Sequence, residues 1–231
     1  MIYKQLIKRN SLVKDITMNK NFKADVFFIV LFIVVSSMLS SSAFAIKQKK
    51  DLYSCDTVVG KEAINCHYNN GLLYNKQSQY QKAIDSFNIA IKLNPDNPYY
   101  YFNRGISYYN QKKYQEAIDD HTKAIEIFPT NPDYYIERGV SYRKQKKYQE
   151  AITDHNKAIE LNPKNPCYYN ARGISYYDQK KYQETINDYN KAIELDSGNY
   201  RFYNNRYVLY LKLYNYKKAI HDLIKAIQLY E

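Results

Sequence analysis

The chain has 231 residues and a formal net charge of +11, with 28 tyrosines but only six glycines, six prolines and three cysteines. No glycine-rich loop in it could cradle a phosphate, no Cys/His spacing suits zinc, and no serine sits in a nucleophile turn. Nothing in the motifs therefore points to an enzyme, a cofactor or a metal centre.

The first 63 residues open with a basic, polar stretch and continue into an apolar run, Val26 to Val35, followed by Ser36 to Ala45. Small residues ending in Ala43-Phe44-Ala45 are the signature of a secretory signal cleaved after Ala45, so residues 1–45 read as a signal peptide. Met18 is the better start of translation, because Met18 to Lys23 forms a compact positive leader. The expected location is outside the cytoplasm, periplasmic or secreted. The alternative is an uncleaved anchor at residues 26–45, since Met38 to Ala45 extends the apolar run toward the roughly 20 residues of a membrane span. Cleavage would remove six basic and two acidic residues and leave a mature chain near +7. Residues 46–63 read as a linker. In an oxidising compartment Cys55 and Cys66 can close a short disulfide, stapling the linker to the first helix, or remain two thiols. Cys167 has no evident mate.

From residue 64 onward the sequence is periodic. The prolines fall in three pairs, Pro95/Pro98, Pro129/Pro132 and Pro163/Pro166, each 34 residues from the next, and Gly71, Gly105, Gly139 and Gly173 keep the same step. So do Tyr74, Tyr108, Tyr142, Tyr176 and Tyr210. Within one period the spacing predicts two helices and a turn: Pro132 to Lys144, capped by Asn131 with proline in its first turn, then about Tyr148 to Leu161, stopped by Asn162-Pro163. Glycine inside a helix costs about 1 kcal/mol relative to alanine. Its recurrence, with Ala117, Ala124 and their counterparts, predicts close helix approach and large rings filling small gaps.

The ladder Gly105, Tyr108, Tyr114, Ala117, His121, Ala124, Pro129 resembles the tetratricopeptide repeat, a unit of 34 residues. Five units follow in phase, at 64–97, 98–131, 132–165, 166–199 and 200–231. The resemblance implies an all-α fold, a right-handed α-solenoid of helix-turn-helix repeats. It also implies a non-enzymatic interaction scaffold whose first helices line a concave groove for a protein or peptide. Mapped onto this chain, that groove comprises Tyr68, Asn69 and Leu72, then Phe102, Asn103, Ile106 and Tyr109, then Ile136 and Val140, Ile174 and Tyr177, and finally Asn205, Val208 and Leu211. Apolar members lie three or four apart on one helix face, and the asparagines could hydrogen-bond a peptide backbone. Tyr68 and Leu72 stand where relatives that grip chaperone tails carry lysine and asparagine, so that carboxylate clamp is missing.

One departure from the family pattern recurs. Arg104, Arg138, Arg172 and Arg206 replace an apolar residue, Asp120, Asp154, Asp188 and Asp222 accompany them, and the first unit has Asn70 and Ser86 instead. The joint recurrence predicts a partly buried Arg–Asp pair within or between units, or else records only the ancestry of duplicated units. His121 and His155 occupy the place of Phe87 and Tyr189, as core substitutes for a ring. The fifth unit loses its glycine to Tyr207 and its proline to Ser197 yet keeps Val208, Leu209, Leu211, Leu213 and Leu223, so self-association through this end is expected. Ser197-Gly198 should loosen its junction with the fourth unit. Lys112-Lys113, Lys146-Lys147 and Lys180-Lys181 align into a basic edge, read as solvated turns. An exported chain without base-reading repeats argues against nucleic acid, and a membrane enters only through an uncleaved leader.

Overall fold

A computed structural model describes Ser54, Cys55 and residues 58–230. The signal-peptide and anchor readings concern residues outside that range. Ten helices occur among the described residues: α1 Gly60–Lys76, α2 Tyr80–Leu93, α3 Pro98–Asn110, α4 Tyr114–Ile127, α5 Pro132–Lys144, α6 Tyr148–Leu161, α7 Pro166–Asp178, α8 Tyr182–Leu195, α9 Tyr200–Lys212 and α10 Tyr216–Tyr230. Odd-numbered helices are the first helices of the five units and even-numbered ones the second. Each pairs with its own partner and then with the next unit, which makes residues 60–230 an α-solenoid.

Local chemistry sets the boundaries. Asn97, Asn131, Asn165 and Asn199 each accept a hydrogen bond from the backbone N–H two residues on, capping α3, α5, α7 and α9. The cap survives at α9 although the proline does not. In α1 Ile64 stands where later units have proline, and the helix runs on upstream to Gly60.

The turns inside the units hold an unexpected conformation. Ser78, Lys112, Lys146, Lys180 and Tyr214 sit at φ of 57–63°, in the left-handed region. At each turn two N–H groups fold back onto the preceding helix, as Lys112 N–H to Tyr109 O and Lys113 N–H to Tyr108 O do, closing a Schellman motif. Lysines 113, 147 and 181, just past the left-handed residue, lie 5.8–6.0 Å over the rings of Tyr108, Tyr142 and Tyr176. Half of the basic edge, though exposed, therefore rests over tyrosine rings.

Glycine in the first helices makes room for a ring of the second. A Cβ on Gly71 would lie 2.5 Å from the Phe87 ring, one on Gly105 2.5 Å from His121 and one on Gly139 2.6 Å from His155. Unit five reverses the sizes, with Tyr207 in the glycine's place and Leu223 in the ring's. His121 and His155 are fully buried. Burial pushes both imidazoles down to about 3, and the guanidiniums of Arg138 near His121, and of Arg143 and Arg172 near His155, push the same way. Both ring nitrogens of His121, and Nε2 of His155, lack a hydrogen-bond partner. Nδ1 of His155 faces Ser175 Oγ at 3.3 Å.

The recurrent arginines and aspartates do meet. In units two to five Nε and Nη2 of the arginine donate to both carboxylate oxygens of the unit's own aspartate at 2.6–2.8 Å. Nη1 reaches back to the preceding unit's second helix, at Asn88, Thr122, Asn156 and Asn190 in turn. Each guanidinium also lies 5.6–6.0 Å from two tyrosine rings on its own helix, Tyr101 and Tyr108 in the case of Arg104. One residue thus ties three helices together. The first unit has no preceding unit to reach. There Asn70 donates to Cys55 Sγ at 3.2 Å, and Cys55 is joined by a disulfide to Cys66 of α1.

Candidate functional site: the groove of first helices

The odd-numbered helices lie side by side, and the residues mapped to the groove divide by register. Leu72, Ile106, Val140, Ile174 and Val208 share one position of the repeat. Leu72 and Val208 are exposed and the three between them half-buried, an aliphatic strip running the length of the array. Asn69 and Leu211 are exposed beside it.

Tyr68, Phe102 and Ile136 share a second position and are more deeply committed. The Tyr68 ring packs 5.1 Å from Tyr100, Phe102 packs 5.0 Å from Tyr134 and 5.7 Å from His121, and Ile136 packs against the cluster of Tyr135, Ala158 and Tyr168. These side chains fill the seams between units and offer a ligand only an edge. Tyr109 and Tyr177 pair with Tyr114 and Tyr182 of the same unit, at 5.6 and 6.0 Å. Two of the three asparagines are engaged internally. Asn103 donates to Tyr68 Oη and to the Tyr99 carbonyl, and Asn205 donates to Asn170 Oδ1 at 2.8 Å. Asn69 is left facing solvent.

Polar crossings between first helices went unforeseen. Tyr168 Oη donates to Asp133 at 2.7 Å, and Arg143 Nη1 donates to Asp178 at 2.9 Å. Burial first, and then Asp133, push the Tyr168 hydroxyl up to about 12. Four of these links, Tyr68–Asn103, Asp133–Tyr168, Arg143–Asp178 and Asn170–Asn205, span 35 residues. One repeat plus one residue is the offset at which neighbouring first helices face each other. Near the middle of the groove Glu137 lies between these crossings, its carboxyl held above the ordinary range by burial and then by Asp133. Among the described residues no group of three or more His, Cys, Asp and Glu could hold a metal ion, and no helix is long and apolar enough to cross a membrane.

Comparison with known families agrees with this architecture. The tetratricopeptide repeat model matches residues 98–131, 132–165 and 166–199, and a second model, TPR repeat, matches 71–112. Together they span more than half of the chain, and the chain belongs to the tetratricopeptide repeat family. Among solved structures it is similar to MamA, at 22% identity and a TM-score of 0.61 over 69% of this chain and 93% of that one. Residues 41 to the end of MamA from Desulfovibrio magneticus RS-1 give 17% identity and 0.65, over 74% and 97%. YrrB, described as a TPR protein with an unusual peptide-binding site, gives 23% and 0.55, over 71% and 84%. At these identities the likeness is one of fold. No curated protein sequence matches.

Proposed function

We propose that this protein is a non-enzymatic scaffold that holds a peptide segment of a partner protein along the groove of its first helices. The observation that carries the reading is the aliphatic strip from Leu72 to Val208. A preformed, half-exposed apolar lane with polar groups along it suits an amphipathic segment, which docks without a large ordering cost to the receptor. The internal pairing of Asn103 and Asn205 leaves backbone recognition to Asn69 and to the polar crossings. The test is peptide binding by fluorescence anisotropy, using a sequence enriched from a random display library against the whole chain. Leu72→Glu and Val208→Glu, both at exposed sites, should each weaken binding about tenfold or more without lowering the melting temperature. Unchanged affinity in both would remove the groove from the account.

Export is the second part of the proposal. The Cys55–Cys66 disulfide supports it, because such bonds persist in oxidising compartments and are rare in the cytosol. The leader is cleaved after Ala45 and the scaffold works outside the cytoplasm. Mass spectrometry of the protein from fractionated native cells should find a mature N-terminus at Ile46. An intact leader in membranes would favour the anchored form at residues 26–45.

A further inference from the structure

In units one to three the isoleucine that follows the small residue of the second helix, Ile84, Ile118 or Ile152, is 2–4% exposed where the next unit packs on it. Its counterpart on α10, Ile220, is 57% exposed, and Ile224 and Ile227 are exposed by 51% and 53%. With Tyr216 and Tyr230 they form one stripe at helical spacing, on the order of 500 Å² of largely apolar surface per copy. A patch of this size is near the top of what monomers expose and is often an interaction surface. Nor is the face suited to a further unit of the kind already present. Where Asn88, Thr122, Asn156 and Asn190 receive the next unit's arginine, α10 carries Ile224.

The order of residues along the stripe reads nearly the same in both directions: Tyr216, Ile220, Ile224, Ile227, Tyr230. We propose that this face pairs with the same face of a second copy of the chain, the two α10 helices running antiparallel about a two-fold axis near residues 223–224. Tyrosine then meets tyrosine at each end and isoleucine meets isoleucine between, a self-complementary, isologous contact. Lys217, in the first turn of α10, comes beside the carbonyl end of the partner helix, where cations are favoured, while Lys218 stays over the Tyr210 ring of its own unit. The two copies together bury about 1,000 Å², the lower bound for a specific interface. An interface of this size makes the pairing reversible and concentration-dependent.

Two experiments on the full chain in a mild non-ionic detergent decide it. Sedimentation velocity over a concentration series should show a monomer–dimer equilibrium that Ile224→Asn weakens about tenfold or more. That variant restores the side chain of three sister units at an exposed position, so the solenoid keeps its melting temperature. Second, in a Cys167→Ser background, chains carrying Ile220→Cys should form a disulfide with chains carrying Ile227→Cys when mixed and oxidised. Chains carrying Ile220→Cys alone should not, because antiparallel pairing holds those positions about 10 Å apart. A monomer at all concentrations, an oligomer indifferent to Ile224→Asn, or self-crosslinking through position 220 as efficient as the mixed pair would each overturn the proposal.

Discussion

Asp154 holds two hydrogen bonds from Arg138, and Arg138 holds a third from its Nη1 to Thr122 while resting between Tyr135 and Tyr142. Removing only the carboxylate strands a guanidinium that is mostly out of solvent. Asp154→Leu should therefore cost about 2–3 kcal/mol in urea unfolding, and Arg138→Leu with Asp154→Leu less than Asp154→Leu alone. Equal or greater loss in the double variant would mean that the pair adds net stability beyond avoiding an unpaired charge. Histidine gives the second residue-scale prediction. The folded chain keeps His121 and His155 neutral down to about pH 3, whereas the unfolded chain protonates them near pH 6.5. Protons bind the unfolded state more, so stability is full above pH 6.5 and falls below it by about 1.4 kcal/mol per pH unit for each histidine. Thermal melts from pH 7.5 to pH 4.5 should reveal this, and His121→Phe, which takes the ring of the sister residue Phe87, should remove half of it. The arginine–aspartate pairing could be anticipated because the two residues appear and vanish together. Their bond to the preceding unit could not, since Asn88 and Thr122 differ in kind and share only a register position.

Helix pairs were predictable for a simple reason: proline and asparagine act locally, and their spacing placed α5 and α6 to the residue. Left-handed lysine was not predictable. Lysine has no preference for positive φ, and at Lys112, Lys146 and Lys180 the Schellman hydrogen bonds impose it. Lys146→Gly should thus stabilise the chain by about 0.5–1 kcal/mol in urea unfolding, whereas Lys147→Gly, which loses its contact with Tyr142, should destabilise it. At the amino end the Cys55–Cys66 link closes a short loop against α1. Reducing it frees that segment, at a cost of about 3 kcal/mol to the order of the first unit. Amide exchange should accelerate in α1 on reduction while α5 and α6 stay protected. At the other end Ile186 is only half-buried where Ile84, Ile118 and Ile152 are buried, so the seam beside Ser197-Gly198 covers it less completely. In the oxidised protein α9 and α10 should be the first helices to exchange.

Across the whole molecule two lattices of different period coexist. A 34-residue period carries the core and was evident in the prolines, glycines and tyrosines. A 35-residue offset carries four of the polar crossings between first helices, and alignment at 34 hides it by placing Asp133 opposite Cys167 when its partner is Tyr168. The burial of the mapped positions was consequently not legible from the helical face alone: Leu72 and Val208 lie open, while Phe102 and Ile136 are spent on the seams between units. The most direct measurement is methyl and amide NMR of the isotope-labelled chain during titration with the display-selected peptide. Saturable shifts of Leu72, Ile106, Val140, Ile174 and Val208, with Lys112, Lys146 and Lys180 unmoved, are the predicted result. Shifts confined to the turn lysines, or to the second helices, would contradict a groove-binding scaffold.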